Sequence, residues 1–278
     1  MKQTFTAKKE YAKLTAFLSE ELQLLPINSI KKQMRLGEVR VNGEKVLKDT
    51  PLFAGDEVRI FLPEQLTPPP VELHILYADE NFAVVNKPIH CETETHLARA
   101  MQQKFDYAEP IHRLDRNTRG LVIFALNAQA KDELTQLIKL KHVQRFYRAH
   151  VYGVPAKPSN TVTLYLKKDA SKAKVFVSDT PQTGYKKSVL RYTVMQTEGG
   201  DSELDIQLFT GRTHQIRATM AHLGNPVIGD GKYGSEKINR LHGKSVQMLC
   251  ANKIRFELPA SYFGQFLYVN GKEYCIKP

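Results

Sequence analysis

Asp115 is the first residue in this chain whose surroundings suit chemistry. It lies in HRLDRNTRG (112–120), with Arg113, Arg116 and Arg119 around it, His112 three residues before it, and the apolar run LVIFALNA directly after. A carboxylate set among cations stays ionised, which suits a nucleophile or a base. The same arrangement also describes an ordinary surface salt bridge. GRTHQIRATMAHLG (211–224) adds a second candidate. Gly211 permits a sharp turn, Thr213 is the expected helix N-cap, and Gly224 with Pro226 ends the helix. Arg217 then falls in the first turns, where the helix dipole offers no reason for a cation. It either meets an anionic partner or snorkels to solvent. In RFYRAHVYGVP (145–155), Tyr147 stands amid Arg145 and Arg148. A tyrosine in a strand is ordinarily a core residue, yet a ring flanked by cations also suits stacking on an unpaired base.

Two other patterns carry less. GDGKYG (229–234) satisfies G-x-G-x-x-G, but it follows NPVI near the chain end and no βαβ unit can be built around it. A glycine turn beside the substrate is expected there, and no nucleotide cofactor. His112 with Asp115, or His214 with His222, lacks the H-E-x-x-H spacing or cysteine cluster of a metal site, so no metal is expected.

The elements that must hold these residues belong to a chain of 278 residues, enough for one or two domains. Forty Lys and Arg against 29 Asp and Glu leave a net charge of +11, which points to a polyanion, nucleic acid ahead of an acidic membrane. No apolar run approaches the roughly 20 residues needed to span a bilayer, and MKQTFTAKKEYAKL lacks the apolar core and small-residue cleavage site expected of a signal peptide. Cys91, Cys250 and Cys275 are scattered and odd in number, as reduced thiols are. The expected location is the cytoplasm.

PEQLTPPP (63–70) forbids helix and marks a boundary, placed between residues 65 and 66. Before it, LTAFLSEEL (14–22) has helical spacing, and SIKKQMRLG is a second helix capped by Asn28 or Ser29 and ended by Gly37. VRV, an NG turn and DEVRIFL follow as strands. Lys31, Lys32 and Arg35 lie three and four residues apart, so they share one helix face. After the boundary, FAVVN (82–86), LVIFAL (121–126), RFYRAHVYG (145–153), TVTLYL (161–166), VLRYTVMQ (189–196) and ELDIQLF (203–209) read as strands. AQAKDELTQLIKLK (128–141) and THQIRATMAHLG (213–224) read as helices. Leu204, Ile206 and Leu208 alternate with Glu203, Asp205 and Gln207, which fits an antiparallel sheet covered on one side. Without regular βαβ alternation the expected class is α+β: a mixed, mainly antiparallel sheet with flanking helices, preceded by a small α/β domain.

Taken in order, HRLDRNTRGL, the RFY strand and GRTHQIR…HLGNPVIGDGKYG closely resemble the RluA/RluD family of pseudouridine synthases, and NKP (86–88) matches a further family element. The resemblance covers residues 71–258. It implies an isomerase of RNA with no cofactor, with large-subunit ribosomal RNA as the first expected substrate and transfer RNA the second. It further implies a monomer that does not act on DNA. By position, the family's catalytic aspartate falls on Asp115, the uracil-stacking tyrosine on Tyr147, and the arginine paired with the aspartate on Arg217. Arg113 matches the residue that helps extrude the nucleotide, and Ile216 the apolar neighbour of that paired arginine. His112, Arg212 and His214 complete the expected RNA contacts of the site. Residues 12–62 resemble the small RNA-binding domain first recognised in ribosomal small-subunit protein four, which implies RNA contacts by Lys31, Lys32 and Arg35. Its opening departs from the family's usual Arg-Leu-Asp, reading AKLTAFL.

Three more departures stand out. Thr118-Arg119-Gly120 replaces the common Thr-Ser-Gly, Arg145 replaces a usual lysine, and IHCETETHLARAM (89–101) replaces a glycine and small-apolar run. A carboxylate with a bidentate Arg217 partner would be fixed and ionised.

Overall fold

The computed structural model describes residues 2–22, 25, 27–63, 71–169 and 174–278; the proline-rich stretch beyond Pro63 lies outside them. The chain forms two compact units, Met1–Pro70 and Val71–Pro278. Among the described residues no helix is long and apolar enough to cross a membrane.

The first unit runs β1 (Lys2–Thr6), α1 (Leu14–Glu21), α2 (Ile27–Arg35), β2 (Val39–Val41), β3 (Glu44–Lys45) and β4 (Glu57–Phe61). Its sheet has the order β1-β4-β2-β3, antiparallel throughout. Asn28 and Ser29 do not cap α2, because the helix already begins at Ile27 and both lie inside its first turn. The far end follows the sequence. Gly37 takes φ 72°, its amide donates to the Met34 carbonyl, and the Glu38 amide donates to Gln33. Those are the two bonds of a Schellman end. Ile30, Gln33 and Met34 are buried, which leaves Lys31, Lys32 and Arg35 exposed together.

The second unit contains β5 (His74–Ala78), β6 (Phe82–Lys87), a π-helical turn (Thr93–Leu97) leading into α3 (Ala98–Gln102), β7 (Glu109–Pro110), β8 (Arg119–Ala125), α4 (Ala128–Lys139) and β9 (Val143–Val151). It continues with β10 (Ser159–Asp169), β11 (Lys174–Ser178), β12 (Lys186–Glu198), β13 (Asp201–Leu208), α5 (Gln215–His222), α6 (Glu236–Leu241), β14 (Leu249–Phe256) and β15 (Glu273–Cys275). One sheet joins the strands in the order β11-β10-β12-β13-β9-β14-β8-β6-β5, with β7 on β8 and β15 on β14. β8 and β14 pair in parallel and the other neighbours are antiparallel. The mixed α+β class expected from the sequence is the one observed.

The central strands are apolar on both faces. Phe82, Val84, Leu121 and Ile123 pack with Leu134 and Leu137 of α4, while Val85, Val122 and Phe124 face a second core with Ile216 and Met220 of α5. Continuous runs such as FAVV and LVIFA are what a strand covered on both sides requires. β13 instead alternates, with Leu204 and Ile206 buried between partly exposed neighbours. Gly120 shows how tightly the middle of the sheet closes. It has φ +122°, and a Cβ there would lie 2.3 Å from the Ala251 carbonyl oxygen on β14. The glycine that ends HRLDRNTRG is therefore required by the parallel β8–β14 contact.

Candidate active site

Asp115 sits in the connection between β7 and β8, and buried side chains grip the backbone on both sides of it. Thr93, at the start of the π-turn, accepts the Leu114 amide at 3.1 Å and donates to the Leu114 carbonyl at 3.2 Å, all within the interior. Lys87, fully buried at the end of β6, donates to the carbonyls of Pro88, Cys91 and Arg116 at 2.9, 2.7 and 3.3 Å. Burial lowers its ammonium pKa to about 8, against the pull of Cys91 and Asp115. Within the loop the Thr118 amide donates to the Asp115 carbonyl, and the buried Thr118 hydroxyl accepts from Gln247. Asp115 is thus presented on a loop with little freedom to move.

Arg217 is the third residue of α5 and only 8% exposed. It does meet an anion, but it meets two. Its Nη1 donates to Asp115 Oδ2 at 2.9 Å, while Nε and Nη2 donate to Asp230 Oδ2 and Oδ1 at 2.6 and 2.9 Å. The two-point partner of Arg217 is therefore Asp230, and Asp115 receives a single bond. This corrects the expected bidentate Arg217–Asp115 pair. Asp230, 1% exposed, also accepts the amides of Lys232 and Tyr233. Burial alone would disfavour its charge, but the hydrogen bonds and charge of Arg217 and these amides hold its pKa below the usual carboxylate range. Burial opposes the Arg217 charge in turn, and Asp230 and then Asp115 more than offset it. One cation between two carboxylates leaves the trio with a net negative charge, and Asp115, 19% exposed, is the member that faces open space.

His214 occupies the cap position of α5 in a left-handed conformation, φ 51°, and makes no side-chain cap bond. Thr213 therefore does not cap this helix. The His214 ring is engaged elsewhere: Nδ1 lies 2.8 Å from the Tyr233 hydroxyl and Nε2 lies 3.9 Å from Asp115. Burial lowers its pKa, with Asp115 acting in the opposite sense. Tyr233 also places its ring 5.2 Å from the Arg217 guanidinium. The other end of α5 closes as expected, with Gly224 at φ +85° and its amide and that of Asn225 donating to Ala221 and Met220.

His112, Arg113, Asp115, Tyr147, Arg212, His214, Ile216 and Arg217 all line one cleft of about 330 Å³, at the lower end of the range for small-molecule sites. Tyr147, on β9 opposite Ile206, is 5% exposed, and burial raises its phenol pKa. Arg145 shares its face by the two-residue period. Arg148 lies on the other face with Glu203 at 3.1 Å, so the ring is not flanked by two cations. Gly211 does not take a positive φ; a Cβ there would lie 3.3 Å from Arg145 Nη1, so this glycine serves a close approach rather than a sharp turn. His112 Nε2 accepts the Ile123 amide at 3.2 Å, and its Nδ1 is sealed without a partner among the described residues. Burial, helped by Arg145, lowers its pKa to about 3, so the ring is neutral. Arg113 is exposed and pairs with Glu94 of the π-turn at 2.5 Å. Lys31, Lys32 and Arg35 belong to the first unit and form an exposed face there.

Sequence reasoning missed Asp230, Thr93, Gln247 and Tyr233. Asp230 and Tyr233 lay inside GDGKYG, where only the glycines drew attention. Thr93 lay in the stretch that departs from the family pattern.

Residues 79–222 match the family model described as RNA pseudouridylate synthase. The chain is 31% identical over 271 residues to ribosomal large subunit pseudouridine synthase C of Vibrio vulnificus, covering 88% of this chain and 84% of that protein. It is 30% identical over 291 residues to the protein of the same name from Haemophilus ducreyi, covering 95% and 91%. Among solved structures, human RNA pseudouridylate synthase domain containing 1 superposes with a TM-score of 0.61 at 24% identity, over 74% of this chain and 84% of that one, a likeness of fold.

Proposed function

The chain belongs to the RNA pseudouridine synthase family, an isomerase family acting on RNA, and from that premise we propose that it converts uridine to pseudouridine in large-subunit ribosomal RNA with Asp115 as the catalytic carboxylate. The observation that carries this reading is the Asp115–Arg217–Asp230 arrangement in a cleft shared with Tyr147. The reaction breaks the N1–C1′ bond, turns the base, forms a C5–C1′ bond, and moves the C5 proton out as N1 regains one. Atoms balance without oxidant or external group. Whether Asp115 acts as nucleophile or as base, it reacts as the carboxylate, and the Arg217 bond fixes the direction in which that carboxylate points.

Unstacking the target base costs a few kcal/mol. Tyr147 stacks on the flipped uracil and Arg113 occupies the vacated space, which offsets that cost. Ile216 packs beside the base, and His112, Arg212 and His214 frame it. Lys31, Lys32 and Arg35 give the first unit a basic face for a second RNA contact, and association is strongly salt dependent. The substrate assignment follows the relatives named for the large ribosomal subunit. The enzyme works as a cytoplasmic monomer on RNA and not on DNA.

The test is a pseudouridine map of ribosomal RNA from cells lacking the protein, restored by wild type and by Asp115→Asn. Loss of a large-subunit site that wild type restores and Asp115→Asn does not is the expected result. Turnover near wild type in the variant overturns the role of Asp115, and loss confined to transfer RNA overturns the substrate.

A further inference from the structure

A second, strongly basic groove opens from the mouth of the cleft. It offers about 420 Å³, and its cations are Lys167 and Lys168 of β10, Lys186 of β12, and Arg212. Gly211, Arg212 and Thr213 line both spaces, so the two adjoin at this segment. Arg212 is set at the junction: its Nε donates to the Lys187 carbonyl at 3.0 Å and its amide to Gln215 Oε1 at 2.9 Å.

The charges here are unbalanced. In the same unit Arg113, Lys131, Arg148, Lys253 and Arg255 each lie within ion-pair distance of a carboxylate. Among the described residues none of Lys167, Lys168, Lys186 and Arg212 does. Antiparallel pairing of β10 with β12 sets Leu166 opposite Lys186 and Tyr165 opposite Lys187, which gathers these cations at neighbouring strand ends. The Lys167 ammonium is 5.8 Å from the Tyr185 ring, a contact that leaves its charge uncompensated. These cations are spread along a groove rather than gathered at a point, an arrangement that suits a chain of phosphates.

We infer that this groove holds the backbone phosphates of the nucleotides flanking the target uridine, so that the substrate strand leaves the cleft over Arg212 and runs along β10 and β12. The inference rests on the proposed RNA reading and adds the side on which the enzyme grips its substrate.

The experiment uses the full chain carrying Lys167→Gln, Lys168→Gln and Lys186→Gln together. These exposed side chains lie outside both cores of the unit, and a melting curve checks the fold. A matched control neutralises the exposed Lys139, Lys237 and Lys244. Binding of a labelled oligouridine and turnover on an unmodified large-subunit ribosomal RNA transcript are both followed across salt concentration. In the groove variant, affinity should fall and KM rise by about 10- to 100-fold at moderate salt, and the log–log salt slope should flatten by about 2 for three lost phosphate contacts. Its kcat at saturating RNA should stay within about twofold, since nothing at Asp115 changes. Unchanged affinity and slope overturn the groove, as does an equal loss in the control, which would assign the effect to net charge alone. A lower kcat with unchanged KM overturns it too. Binding is read separately from turnover: wild type that binds through these lysines but makes no pseudouridine would refute the proposed reaction and leave the groove standing.

Discussion

Asp115 and Asp230 share one arginine, and replacing each in turn by asparagine should separate chemistry from support. Asp230 is almost fully buried and accepts four bonds, two from Arg217 and one each from the Lys232 and Tyr233 amides. Asp230→Asn removes the charge that holds the Arg217 fork and one of its two acceptor oxygens, leaving a buried guanidinium with Asp115 as its one carboxylate partner. Breaking a buried pair in this way costs about 3–5 kcal/mol, and the retained amide oxygen should hold the loss near about 3 kcal/mol. Asp115→Asn removes one charge-assisted bond from a partly exposed group while Arg217 stays paired with Asp230, so the loss should be about 1 kcal/mol. The effects on activity run the other way. Without its carboxylate the Asp115→Asn enzyme should lose about 10⁴-fold or more in turnover, a triad-sized effect. Asp230→Asn keeps Asp115 but loosens Arg217, and a displacement of about 1 Å predicts roughly a 100-fold drop. Urea unfolding at neutral pH reads the first quantity, and tritium release from RNA labelled at uracil C5 reads the second. If Asp115→Asn destabilised the fold as much as Asp230→Asn, or if a fully folded Asp230→Asn enzyme were as inactive as Asp115→Asn, this division of labour would be wrong.

Thr93→Val should leave the Leu114 amide and carbonyl unpaired and lower kcat about tenfold with little change in KM, while Thr93→Ser recovers most of it in steady-state assays. Burial and neighbouring charges, with no hydrogen bond among the causes, shift the Tyr147 phenol, so Tyr147→Phe should lose far less turnover than Tyr147→Ala; equal losses would argue against stacking. Gly120→Ala should cost about 3 kcal/mol or more, read as a lower Tm or insolubility, because the new methyl strikes the Ala251 carbonyl. Gly43→Ala, with φ +90° but open space around it, should cost about 1 kcal/mol. His112 has a folded pKa of about 3 against 6.5 when free. The unfolded chain therefore binds the extra proton between these values, and stability present above pH 6.5 is lost as pH falls toward 3, by about 5 kcal/mol in full. His112→Gln keeps an acceptor for the Ile123 amide without titrating, so its urea midpoint should fall less steeply between pH 6.5 and 4.

Much of the molecule was legible locally. Apolar runs and alternation located the strands, and Gly37 and Gly224 ended the two helices they were expected to end. The motif residues Asp115, Tyr147 and Arg217 converge on one cleft. The strands and helix ends depend on backbone conformation and on neighbours a few positions away, so a single stretch of chain carries them, whereas the shared cleft is made by the fold. What stayed hidden depends on distant partners. GDGKYG read as a turn, and only the fold brings Asp230 against Arg217. The Thr213 cap failed because His214 takes up Tyr233 and faces Asp115 instead. Arg148 looked like a companion of Tyr147 until β-strand alternation within the folded sheet sent it to Glu203. The need for a glycine at 120 appears only in the parallel register of β8 with β14. Periodicity and turn chemistry are written in adjacent residues, so the sequence by itself determined the elements, and its motifs singled out Asp115, Tyr147 and Arg217 as the candidate site residues. The sharing of a buried charge, the register of distant strands and the anchoring of a loop are set by long-range contacts, and only the tertiary structure decided them.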